Sequence, residues 1–172
     1  MGRSWQCGTV QLDRVLPQRL DASYIAPDGS RARPLMIHHA IFGSLGRIIA
    51  ILLEHHGGVL PFWLAPEQVA VAPIAQAHAG YAAAVLAGFA EAGIRTVAYD
   101  GADTLSRRIV AAHEMAVPVM AIVGGREMRD RRVSLRERDG SQADVPLAEA
   151  VSRLEARARP GVTVSRRDDQ FV

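Results

Sequence analysis

The sequence predicts an α/β protein with a mixed sheet flanked by helices, and three observations carry that expectation. Beyond Pro66, apolar runs of strand length alternate with segments of helical pattern, the rhythm of a layered α/β domain. Val117 to Val123 is almost wholly apolar, the mark of a central strand covered on both faces. Ahead of Pro66 the rhythm differs, with short strands and a single amphipathic helix.

The elements follow in order. Gln6 to Leu12 alternates in the period of two that suits a strand, with Val10 and Leu12 on one face. A polar loop comes next, with Pro27-Asp28-Gly29 as a turn. Leu35 to Ile37 is a short apolar strand, and Gly43-Ser44 opens a helix with Ser44 in the N-cap position. Leu45, Ile48, Ile49, Leu52 and Leu53 give that helix an apolar stripe expected to be buried, and Gly57-Gly58 ends it. Pro61 and Pro66 bracket Phe62 and Trp63, expected to pack a linker between two domains. Then come a strand at Val69 to Ile74, an alanine-rich helix at Ala77 to Ala92 stopped by Gly93, and a strand at Ile94 to Tyr99. A helix capped by Asp103 runs to about Met115. The central strand is followed by a turn, a strand at Arg132 to Glu137, and a last amphipathic helix at Val145 to Arg157.

Composition narrows the class. An apolar content of 49% against 22% charged residues belongs to a globular chain rather than a disordered one. The net charge is only +2, yet all twenty cations are arginines, clustered at Arg126 to Arg138 and Arg153 to Arg167. Arginine's planar fork suits phosphate and carboxylate, although a charge run is more often a solvated face. Cys7 is the sole cysteine, so an intrachain disulfide is excluded and a reducing, cytoplasmic location is expected. The longest apolar stretch, Ile48 to Leu53, is far short of a membrane span. Gly43-Ser44-Leu45-Gly46 lacks the spacing of a nucleophile elbow, and His55-His56 meets the dipole of a helix end rather than completing a metal site.

Two segments are the most specific part of the chain: Trp5-Gln6-Cys7-Gly8-Thr9-Val10-Gln11-Leu12-Asp13 and Met36-Ile37-His38-His39-Ala40-Ile41-Phe42-Gly43-Ser44-Leu45-Gly46-Arg47. Together they resemble the end of the catalytic domain of threonyl-tRNA synthetase, a class II aminoacyl-tRNA synthetase. Residues from Glu67 to Arg157 resemble the anticodon-binding domain shared by threonyl, prolyl, histidyl and glycyl synthetases. The resemblance implies a remnant of the antiparallel catalytic fold, strands plus a helix with motif 3, over residues 1–60. It further implies a linker at 61–66, an anticodon-binding-type α/β domain at 67–158 and a polar tail at 159–172.

The same resemblance implies site residues. Gln6, Thr9 and Gln11 would line the threonine pocket, whose ammonium, carboxylate and hydroxyl need amide and hydroxyl partners. His38 maps onto the last of three zinc ligands, the other two lying upstream of Met1 in the family; Cys7 is not one of them. His39 stands where the family has arginine. Arg47 matches the ATP-contacting arginine of motif 3, preceded by Gly46 instead of an acidic residue. Glu127 and Arg136 keep two anticodon-reading positions, whereas Ala102 and Val110 stand where the family reads bases with asparagine and arginine. Losing two readers lowers specificity more than affinity.

These readings imply a truncated threonyl-tRNA synthetase-like protein, inactive as a ligase on its own, binding neither ATP nor zinc alone although the intact family uses both. tRNA is its expected partner, with reduced specificity; no membrane and no DNA are expected. An open sheet edge in residues 1–56 implies a homo-oligomer or a partner protein, such as a catalytic synthetase half. The alternative is a stand-alone RNA- or protein-binding regulatory module built on the anticodon-binding domain.

Overall fold

The computed structural model describes residues 4–161, so most of the tail, with Arg166 and Arg167, lies outside the described residues. The chain divides into two compact units, Met1–Gly57 and Gly58–Val172.

In the first unit β1 (Thr9–Asp13) pairs antiparallel with β4 (Met36–Ala40), Thr9 facing Ala40 and Asp13 facing Met36. Gly8 explains how the strands close together, because a Cβ there would sit 2.9 Å from the Ile41 carbonyl oxygen. Between them lie three elements that the loop reading missed, namely α1 (Val15–Arg19), β2 (Tyr24–Ile25) and β3 (Arg31–Ala32). Asp13 starts α1 by accepting the Val15 and Leu16 amides at 2.8 and 2.9 Å. The expected turn closes the β2–β3 hairpin: Asp28 Oδ1 accepts the Ser30 amide and hydroxyl, and Gly29 sits at φ +81°. Such two-residue strands lack an alternation to read.

The helix α2 (Leu45–His55) begins after Ser44, which is extended as an N-cap should be but makes no side-chain capping bond. Its stripe is a correction. Leu45 is 71% exposed, Ile49 and Leu53 are exposed too, and the helix buries none of its residues. Pro17 alone is buried among the described residues of this unit.

The second unit holds a five-stranded sheet of order β6-β5-β7-β8-β9, built from β5 (Val69–Pro73), β6 (Thr96–Ala98), β7 (Val119–Val123), β8 (Arg132–Glu137) and β9 (Gln142–Pro146). The first three are parallel and the last two antiparallel, so the sheet is mixed as expected. One face packs Val69, Val71, Val119, Ala121 and Val123 beneath α3 (Ala79–Glu91) and α6 (Leu147–Ala158), with Phe89 and Leu154 fully buried. The other packs Ala70, Ala72, Met120 and Ile122 beneath α4 (Leu105–Glu114). β5 and β7 are therefore buried on both faces, which is why their sequences do not alternate.

Local differences have physical causes. Thr104, not Asp103, caps α4 by accepting the Arg107 amide, while Asp103 pairs with Arg107 through its side chain. Helix α5 (Gly125–Asp130), expected as a turn, is stabilised by Glu127 accepting the Gly124 amide and ends where Arg131 turns left-handed at φ 52°. Strand β9 is a correction: its last two residues, Val145 and Pro146, fall where the last helix is expected to begin, and as an edge strand it buries only Val145, opposite Val133. Phe62 is buried in this unit's core, under the Arg157 guanidinium 4.7 Å from its ring centre, whereas Trp63 is exposed. Gln68, fully buried, donates to the Phe62 carbonyl and accepts the Arg95 amide, each at 2.9 Å, and so ties residues 62–68 to the sheet. Among the described residues no helix is long and apolar enough to cross a membrane.

Candidate nucleic-acid interface

On the second unit, α4, β7 and β8 border a groove of about 340 Å³ whose lining includes Ile109, Pro118 and Met120. Val110 and Arg136, distant in sequence, line it together. Arg136 reaches it because β8 pairs with β7 in the register that sets Arg136 against Met120. Val110 is 56% exposed on α4, an apolar side chain held at a position open to solvent. Arg138 stands beside them, donating Nη1 to the His113 carbonyl at 2.8 Å, with its Nη2 3.3 Å from His113 Nε2. The groove can thus offer apolar contact to a flat ring and guanidinium charge to a phosphate. Arg138 is the residue that the sequence reading missed; it lies in the turn just past the end of β8, and its cue was the arginine cluster at Arg126 to Arg138.

Glu127 is not in that wall. Its side chain is 10% exposed; Oε2 accepts the Gly124 amide at 2.9 Å and Oε1 meets Arg126. Arg126 and Arg132 both engage Asp144, a short network along β8 and β9. Ala102 lies on a different hollow, beyond the carboxyl ends of β5 and β6.

In the first unit, Thr9, Gln11 and Asp13 share one face of β1, and His38 sits directly opposite Gln11. Two expected threonine-pocket residues and the zinc-ligand position are therefore side by side. Gln6 precedes the strand and is exposed. His38 Nε2 lies 3.4 Å from Asp13 Oδ2. The Leu16 and Val15 amides, followed by His38, hold the Asp13 carboxyl below its usual range. That donor set, one imidazole and one carboxylate, does not fit zinc, and among the described residues no group of three or more ligating side chains could hold a metal. Arg47 is exposed near the start of α2.

Comparison with known proteins decides the family. Residues 68–157 match the family model described as anticodon binding domain. The chain belongs to that family. Residues 1–56 match the tRNA synthetase class II core domain (G, H, P, S and T), so the two units resemble consecutive parts of one kind of synthetase. The threonine–tRNA ligase of Streptomyces avermitilis is 44% identical over 155 residues, covering 90% of this chain and 24% of that protein. That of Ralstonia nicotianae is 45% identical over 156 residues, 90% of this chain and 25% of the other. The chain spans about a quarter of the length of these curated relatives. Among solved structures, the RNA binding domain of threonyl-tRNA synthetase from Cryptosporidium parvum superposes with a TM-score of 0.81 at 34% identity, over 93% of this chain and 41% of that one. Prolyl-tRNA synthetase of the same organism, with a TM-score of 0.66 at 20% identity, over 91% of this chain and 36% of that one, shares the fold.

Proposed function

We propose that this is a threonyl-tRNA synthetase-like, tRNA-binding protein whose α/β unit grips the anticodon loop with relaxed base specificity. The observation that carries it is the groove in which Val110 and Arg136 meet. Unpaired bases are read by hydrogen bonds to their edges and by stacking. An arginine next to a valine supplies charge and apolar contact but only half of the polar reading, and Glu127 spends part of its hydrogen-bonding capacity on the Gly124 amide. Binding should therefore track charge more than sequence.

We further propose that these 172 residues do not ligate threonine unaided and hold neither zinc nor ATP by themselves. Gln11 and His38 lie side by side on an open two-stranded sheet, where the flanking Val10, Leu12 and Ile37 are all more than 60% exposed. Forming an adenylate requires phosphates held in line in a water-excluded site. The exposed apolar surface of the first unit favours a second component in the reading, a homo-oligomer or a protein partner, with the whole acting in the cytoplasm.

Fluorescence anisotropy with threonine tRNA and three unrelated tRNAs, at two salt concentrations, tests the proposal. Comparable, salt-sensitive affinities are expected. No binding to any tRNA would leave the protein-binding regulatory module as the better reading, and ATP–pyrophosphate exchange above background with threonine would overturn the proposed inactivity.

A further inference from the structure

Glu137 lines two hollows at once: the groove described above, and another of about 500 Å³ between the β8–β9 hairpin and α6. It ends β8, and alternation along that strand puts it with Val133 and Leu135 on the side that α6 covers, opposite to Arg136. Arg157 of α6 holds the carboxylate there with two bonds, Nη1 donating to Oε1 at 2.6 Å and Nη2 to Oε2 at 3.2 Å. The guanidinium is itself fixed, 4.7 Å from the centre of the buried Phe62 ring. An ion pair whose side chains are 42% and 36% exposed adds little to stability. What this one decides is where a negative charge sits.

That position matters to the groove. Arg136 and Arg138 take part in no ion pair among the described residues, Arg138 donating instead to His113. Glu114 already adds one carboxylate to the same lining, again without an ion pair among the described residues. Glu137 stands between the two arginines in the chain, so its carboxylate, released from Arg157, would be drawn to either of them. Two guanidiniums against one carboxylate attract a phosphate, and a second carboxylate cancels that attraction. We propose that Arg157 is a positioning residue for RNA binding: by holding the Glu137 carboxylate on the α6 side of the sheet, it leaves Arg136 and Arg138 free to meet phosphate. Arg157 itself does not touch the RNA. The consequence for RNA rests on the tRNA-binding reading above; the restraint on Glu137 does not.

Three variants of the full chain test it. Arg157→Met keeps an apolar stem over Phe62, Arg157→Met with Glu137→Gln also removes the released charge, and Arg153→Met deletes an arginine one turn earlier on α6 that pairs with Glu149. In anisotropy titrations with threonine tRNA at low salt, Arg157→Met should bind about fivefold more weakly than the wild type, the scale of one unit charge near a protein surface. The combined variant and Arg153→Met should both stay within about twofold of the wild type. A loss that Glu137→Gln does not restore would trace the effect to Arg157's own charge or packing and overturn the proposal. So would no loss in Arg157→Met, or an equal loss in Arg153→Met. NMR of the Arg136 and Arg138 Nε–H groups supplies a readout without RNA: Arg157→Met should shift these signals, and the combined variant should return them. If even the wild type binds no tRNA, the function proposed above falls, while shifted signals still uphold the restraint on Glu137. Unmoved signals overturn the proposal in either case.

Discussion

The two units spend their apolar residues in opposite ways: the second folds Phe89, Leu154, Val69 and Val119 into a core with almost no exposure, while the first leaves Leu12, Ile25, Ile41 and Leu45 each more than 60% exposed. Both units carry amphipathic helices, α2 in the first and α6 in the second. What differs is whether the facing layer exists, since a strand or helix gains from its apolar side only when something covers it. In the second unit α3 and α6 cover one side of the sheet and α4 the other. In the first, two two-stranded sheets and the helices α1 and α2 bury a single proline among the described residues.

The sharpest way to break this comparison is a matched pair of truncations. Phe89→Ala should cost about 3–5 kcal/mol of the second unit's stability in urea unfolding, the usual price for an emptied aromatic site. Ile49→Ala should stay within about 0.5 kcal/mol, because its side chain is 55% exposed. A large loss from Ile49→Ala would show that the first unit is packed after all. Next in size, Arg136→Ala should weaken tRNA binding by about 1–3 kcal/mol and flatten the salt dependence by about one charge in anisotropy titrations. Gln11→Ala should leave binding unchanged, so an equal effect of both would move the interface to include the first unit.

Smaller again, Gly8→Ala sets a new Cβ 2.9 Å from the Ile41 carbonyl oxygen and should disrupt the pairing of β1 with β4. The expected readout is loss of cross-strand nuclear Overhauser contacts between Gln11 and His38, with the second unit's unfolding midpoint unmoved. The least effect is expected from acid. The Asp13 carboxyl is held below 3.8 chiefly by the Leu16 and Val15 amides, so its ionised form favours the folded turn. That contribution is present above pH 3.8 and is lost as pH falls through the lower folded value. A carbon-13 titration should give a midpoint below 3.8, and it should remain so in His38→Asn, where the two amide bonds persist.

Much of the second unit was legible because its residues carry unambiguous signals. Val117 to Val123 could only be a covered strand, Gly93 at φ +75° stopped α3, and Arg132 to Glu137 matches β8 residue for residue. The misses share one cause. Strand β9 and helix α5 are short, and their partners, Val133 for Val145 and the Gly124 amide for Glu127, lie outside any pattern of period two or 3.6. Of the candidate positions, the sequence named residues but not their company. Nothing in the sequence told that Val110 and Arg136 share a groove or that His38 faces Asp13.

The sequence by itself determined the family and the mixed α/β architecture, because composition, turn residues and local motifs are properties of neighbours along the chain. Only the tertiary structure decided that the stripe of α2 is exposed, that Phe62 joins a core, and that Arg108 sits buried without a carboxylate. Burial depends on what lies across a gap, and a chain records which residues seek cover without recording which of them find it.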